Sequence, residues 1–84
     1  MIRGMFLHVS EAKYLHDYVI WLKFSDGAEG GIDLQNELSG EVFAPLQGLN
    51  EFKRFRVDPE LQTIAWENGA DLAPEFLYAQ MGIS

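Results

Sequence analysis

Between Asp17 and Phe24 the side chains alternate so regularly that a β-strand at the heart of a sheet is the reading that best accommodates them. Tyr18, Ile20, Leu22 and Phe24 project to one face, and Asp17, Val19, Trp21 and Lys23 to the other. The first face is wholly apolar and belongs on the core. The second still carries Val19 and Trp21, which predicts a central strand whose other face is partly covered. Ser25-Asp26-Gly27 comes directly after it. Asp-Gly tolerates positive φ, so the chain is expected to reverse there into a strand near Ala28 to Leu34. Gly30 and Gly31 weaken that return strand and predict a bulge or an edge position where another backbone approaches closely.

The rest of the chain supplies shorter elements. Phe6 to Val9 is a short apolar run that reads as a strand, and Ala12 to Leu15 extends it. Asp33 is placed to cap a short helix containing Leu34 to Leu38, which Ser39-Gly40 ends. Val42, Phe43, Leu46, Leu49 and Phe52 follow helical spacing, but Pro45 and Gly48 forbid one long helix, leaving two short turns. Phe55 and Val57 alternate with Arg54 and Arg56, which predicts a half-buried strand with a cationic outer face. After a turn at Asp58-Pro59-Glu60, Gln62 to Trp66 reads as an antiparallel partner, with Ile64 and Trp66 on one side and Thr63 and Ala65 on the other. Glu67-Asn68-Gly69 is a further turn, and Asp71 lies near Pro74, which suits the first position of a helix running to about Gln80, whose apolar residues are Phe76, Leu77 and Met81. The expected fold class is α+β: a small, mostly antiparallel sheet of about five strands with short helices packed on one face. With 84 residues, the expectation is a single domain over residues 1–84.

Thirteen acidic residues against six basic ones give a net charge of -7. Such a surface repels phosphate backbones and anionic headgroups, so neither direct nucleic-acid binding nor membrane binding is expected. It attracts a basic protein partner, although acidity also serves solubility. The absence of cysteine excludes disulfides, thiolate nucleophiles and cysteine-based zinc sites. The run from Met1 to His8 is too short and interrupted for a signal peptide, and the longest apolar stretch, Tyr18 to Leu22, is too short to span a bilayer. A cytoplasmic location is the default expectation.

Chemistry has few raw materials. His8 and His16 lack a second ligand at a zinc spacing, and Ser10, Ser25, Ser39 and Ser84 sit in no nucleophile elbow. Gly27, Gly30 and Gly31 lack the strand-to-helix setting of a phosphate loop and are better explained by a hairpin. Asp58, Glu60, Glu67 and Asp71 flank two turns and could converge on a divalent cation, but their spacing matches no calcium loop. No catalytic residue, metal ligand or cofactor site is therefore assigned. Lys53, Arg54 and Arg56 concentrate half of the six basic residues. Alternation would put Arg54 and Arg56 on one face, available to an anionic partner or else engaged in intramolecular pairs. Trp21, on the less apolar face of the central strand, suits an interface, or packing beneath the short helices. Trp21, Arg54 and Arg56 thus form the candidate interaction surface.

A set of short strings carries a resemblance: Ala12, Asp17-Tyr18, Phe24-Ser25-Asp26-Gly27, Asp33-Leu34, Phe43-Ala44-Pro45-Leu46, Phe52, Val57-Asp58 and, most specific, the stretch from Ile64 to Glu75. Through them the chain resembles the bacterial domain of unknown function 2442 family. Members often have proline after the tryptophan, where this chain has Glu67; Asn68-Gly69 is kept. The resemblance implies an α+β fold and, in some relatives, a helix-turn-helix domain attached behind it, hence regulatory or partner-binding use. This chain ends at Ser84 without that domain, so direct transcriptional control is not expected. Some similar proteins look like halves of two-gene modules, which points to an antitoxin-like role. The family supplies no catalytic residues to carry over. The leading expectation is a non-catalytic binding or interaction module, antitoxin-like or regulatory, with a basic protein partner. The alternatives are a small enzyme using turn carboxylates or His16 with a metal or water, and a self-associating structural protein that forms a homodimer through its glycine-bearing edge or an exposed aromatic face.

Overall fold

A computed structural model describes residues 7–81. The alternating segment organises its first half. β1 (Val9–His16), β2 (Val19–Phe24) and β3 (Glu29–Asp33) form an antiparallel sheet in the order β1-β2-β3, which puts β2 at the centre as its two-faced pattern requires. Ile20, Leu22 and Phe24 are buried, while Val19, Trp21 and Lys23 are half-buried. Phe6 lies outside the described residues, and β1 begins only at Val9.

The turns obey the residue chemistry. Gly27 takes a φ of 92°, its amide donates to the Phe24 carbonyl at 2.9 Å, and the Asp26 carboxylate accepts the Ala28 amide at 2.9 Å. Asp17, in the two-residue loop between β1 and β2, tolerates a φ of 43° because a short polar side chain can bond locally in the left-handed region. Neither Gly30 nor Gly31 takes a positive φ, and a Cβ at either would meet only ordinary contacts.

The connection from β3 is a series of single turns. The expected helix over Leu34 to Leu38 shrinks to a 3-10 turn at Gln35–Glu37, with the Asp33 carboxylate accepting the Gln35 amide at 2.9 Å. That bond forms an Asx turn, which competes with α-helix. A 3-10 turn comes next at Ala44–Gln47, then a single helical turn, α1 (Leu49–Phe52). Gly48 divides the two turns as expected, whereas Pro45 lies in the opening positions of the first.

β4 (Arg56–Asp58) and β5 (Thr63–Ala65) pair antiparallel, so the five strands divide into a three-stranded and a two-stranded sheet. A hydrogen bond joins them where the Val9 amide donates to the Gln62 carbonyl at 2.9 Å. The register shift between Val9 and Glu11 prevents that pairing from running on along β1. Past β5 the chain turns again at Asn68-Gly69, with Gly69 at a φ of 95°, and the Trp66 amide donates to the Ala70 carbonyl at 2.8 Å. α2 (Pro74–Gln80) starts on proline, whose missing N–H costs nothing at a first helical position.

All these elements share one core. Ile20, Leu22, Phe24 and Ile32 from the first sheet pack with Leu38, Leu46 and Phe52 from the connection, Ile64 and Trp66 from the second hairpin, and Leu77 from α2. The Phe52 ring is its hub, lying 5.2 Å from Tyr18, 6.0 Å from Trp66 and 6.4 Å from Tyr14. No buried side-chain polar atom lacks a partner among the described residues. Trp66 Nε1–H donates to the Phe52 carbonyl at 2.9 Å, and the Thr63 hydroxyl donates to the Leu72 carbonyl.

Gln62 is a point of strain with no signal in the sequence. Its φ is 59°, and it leads directly into β5. A left-handed conformation costs an ordinary L-residue roughly 1–2 kcal/mol, which glycine escapes at the expense of a more flexible unfolded chain. Gln62→Gly is therefore expected to stabilise the fold by about 0.5–1 kcal/mol. A urea midpoint below that of the wild type would show that the Gln62 side chain contributes more than its backbone strain removes.

Candidate functional site

The cross-strand register arranges the outward side chains of the three-stranded sheet in rows. Glu11, Lys23 and Glu29 align in one row, Lys13, Trp21 and Gly31 in the next, and His16, Val19 and Asp33 in the last. Trp21 thus occupies the middle of the face. Lys13 Nζ stands 5.5 Å from its ring centroid, close enough for a cation–π attraction. On the other flank Gly31 presents no side chain.

Leu15 completes this surface. It lies within the second register shift of β1, between Tyr14 and His16, where strict alternation is broken. Its Cδ1 lies 3.4 Å from the position a Cβ on Gly31 would take, with Val19 Cγ1 at 3.6 Å. Leu15 therefore reaches across the outer face toward β3 and remains 49% exposed. Leu15, Val19 and Trp21 make an apolar patch at the middle of the sheet, rimmed by Lys13, Glu11, Glu29 and Asp33, all exposed.

The other two residues of the predicted surface lie elsewhere. Arg54 sits in the turn before β4 and only Arg56 is on the strand, so the two do not alternate along one face. Arg54 is within 3.8 Å of Glu51 and 3.9 Å of Glu67, and Arg56 within 3.3 Å of Asp58. No hydrogen bond, ion pair or ring contact among the described residues joins either arginine to Trp21. Both arginine side chains are more than half exposed, so their pairs are weak attachments that a stronger anion could displace.

Two of the four turn carboxylates, Asp58 and Glu67, are engaged locally, Glu67 lying 3.9 Å from Arg54. Asp58 accepts the Leu61 and Glu60 amides at 3.1 and 2.8 Å, and these bonds, with Arg56 nearby, hold its carboxyl below the ordinary aspartate value. A carboxyl held ionised is the opposite of a general acid poised near neutral pH. Among the described residues no three of His, Asp and Glu gather in a way that could hold a metal ion. His16 Nδ1 lies 3.1 Å from Asp17 on an exposed turn. At the other end of the sheet the Tyr78 hydroxyl donates to Asp26 at 2.7 Å, which pushes its pKa up, because ionising the phenol would set two anions side by side. That bond fastens α2 to the β2–β3 turn.

Sequence reasoning found Trp21 and missed Leu15. The signal for Leu15 was local alternation: the residue after an inward tyrosine faces outward with Lys13, so a leucine there adds apolar surface to the outer face, and it is His16, paired with Val19, that the second register shift displaces.

A family model described as protein of unknown function (DUF2442) matches residues 9–81, which takes in all five strands, the Leu15–Trp21 patch and both α-helices. No curated protein and no solved structure matches the chain significantly.

Proposed function

Because the chain belongs to the DUF2442 family of proteins of unknown function, its own surface must supply the argument, and we propose that it is a non-catalytic binding module that engages a protein partner through the outer face of its three-stranded sheet. The observation that carries this reading is the placement of Trp21: an aromatic ring at the centre of a sheet face, flanked by Leu15 and Val19, with Lys13 5.5 Å from the ring on one side, Lys23 further along the strand and acidic residues at the rim. Interfaces that bind proteins have this layout, an apolar centre with a large aromatic anchor inside a polar border.

The charge of -7 favours a basic partner. An antitoxin-like or regulatory role, in which the module holds or neutralises such a protein in the cytoplasm, accords with that preference. The carboxylate-dependent enzyme is the weaker reading, since Asp58 is taken up by backbone amides and Arg56, Glu67 lies beside Arg54, and the turn acids do not gather into a metal-holding group among the described residues.

Affinity capture from the native cell, run in parallel with the wild type and Trp21→Ala, tests the proposal. The expected result is a basic protein retained by the wild type at about 0.1 M salt and reduced roughly thirtyfold with the variant, the loss typical of a central aromatic anchor. Trp21 is only half-buried and outside the core cluster, so the thermal midpoint of the variant should stay close to that of the wild type. Equal capture of the same protein by both forms would overturn the assignment of this face.

A further inference from the structure

Among the described residues the three-stranded sheet ends at β3, and the outer edge of that strand has a definite chemistry. The Leu34 amide donates to the Tyr18 carbonyl and the Ala28 carbonyl accepts from Phe24, so the even-numbered residues direct their backbone groups toward β2. By the alternation of an antiparallel ladder, Glu29, Gly31 and Asp33 direct theirs outward. All three residues are exposed. Among the described residues no backbone bond is made by these outward amides and carbonyls, and such a row is a template for one more strand.

Two further features narrow what that strand is. Gly30 and Gly31 sit at this edge although neither has a positive φ and a Cβ at either would meet nothing closer than 3.4 Å. The fold thus has room for a Cβ at both positions, while bare glycines weaken a strand and mark sites where another backbone comes close. Glu29 and Asp33, on either side of Gly31, take part in no ion pair among the described residues. A second copy of this chain, added about a twofold axis at Gly31, would set Glu29 opposite Asp33 twice over. Like charges directly opposite are destabilising, and each copy also carries a charge of -7.

We infer that the free edge of β3 receives an extended segment of a basic protein as a fourth strand, with cationic side chains opposite Glu29 and Asp33 and a large apolar side chain opposite Gly31. The apolar residue lies about 9.5 Å, two strand spacings, from the β2 backbone at Trp21. With no side chain on Gly31 in between, it closes over Leu15 toward the indole. The motif is therefore a cation at positions i and i+4 with a bulky apolar residue at i+2. This rests on the proposed reading of the outer face and specifies how the partner is seated.

A capped heptapeptide, Thr-Lys-Thr-Phe-Thr-Lys-Thr, titrated into 15N-labelled protein tests it. The expected result is amide shifts concentrated at Glu29, Gly31 and Asp33, slowed hydrogen exchange at those amides, and a shift of the Trp21 indole. The peptide with glutamates replacing its lysines should bind at least tenfold more weakly. The double variant Glu29→Gln, Asp33→Asn keeps an oxygen to accept the Gln35 amide and should lose about tenfold in affinity while remaining folded. Shifts at Leu15 and Trp21 without protection of the edge amides would overturn strand addition yet leave the outer-face reading standing. Equal binding of both peptides, or no shift at the edge at millimolar peptide, would overturn the inference. So would edge shifts that grow with protein concentration alone, which would give the edge to a second copy.

Discussion

Trp66→Ala is expected to leave most of the protein unfolded at 37 °C. Trp66 is buried, its ring centroid lies 6.0 Å from that of Phe52, 6.4 Å from Phe55 and 6.5 Å from Phe43, and its indole N–H donates to the Phe52 carbonyl. Removing a buried aromatic of this size costs about 3–5 kcal/mol in transfer and cavity terms. The Phe52 carbonyl, left without its donor, adds about 1–3 kcal/mol. A domain of 84 residues has only about 4–13 kcal/mol of total stability, so the loss is comparable to the whole. Trp66→Phe separates the contributions: it keeps most of the apolar area, gives up the hydrogen bond, and should cost about 1–3 kcal/mol. Urea unfolding monitored by far-ultraviolet circular dichroism checks both. If the alanine variant lost under about 2 kcal/mol, below the range for a buried ring, the aromatic cluster would not be the centre of the fold.

The second large effect belongs to Phe24. It ends β2 on the inner face, is 1% exposed, and meets the Tyr78 ring edge-on at 5.1 Å. α2 has seven residues, too few to persist as an isolated helix, and so exists only by docking. Phe24→Ala removes part of the floor beneath it and should cost about 3–5 kcal/mol. Because Leu77 is also buried there, the loss is expected to be local as well as global. The amides of Leu77 and Met81, which donate within and at the end of α2, should exchange with solvent ahead of those in β2. Phe24→Leu keeps much of the volume and should cost less than half as much. Unchanged protection of Leu77 in the alanine variant would place the seat of α2 elsewhere.

Those two positions also indicate what the sequence could disclose. Phe24 was legible because it sits on a strand with period-two alternation that ends in Ser-Asp-Gly; two local signals agree, and the strand and its turn emerge together. Trp66 was legible as a core residue just before Asn68-Gly69, although β5 ends one residue earlier than the expected strand, at Ala65. The α+β class, the edge position of β3 and the proline start of α2 come from similarly short-range chemistry. The division into two sheets does not. It depends on the register break beside Val9 and on where Gln62 meets β1, contacts between residues far apart in the chain. Arg54 failed as a strand residue because α1 and the turn after it run on through that position, so the alternation with Arg56 was coincidental. Leu15 escaped notice for a related reason: the register shift between Val9 and Glu11 reverses the faces of the residues beyond it, and alternation counted straight through from the inward Val9 places Leu15 inside. Trp21 could be found because β2 has no such irregularity.

Every pairing within the two sheets joins strands adjacent in the chain: β1 with β2, β2 with β3, β4 with β5. Each ladder can zip from its own turn, after closing a loop of only a few residues, and the entropy lost in doing so is small. The bonds from Val9 to Gln62 and from Tyr78 to Asp26 are distant clasps, to be fastened between pieces already half made. Such wiring belongs with rapid self-assembly and few kinetic traps, and it makes the order of events along the polypeptide resemble the order of its letters.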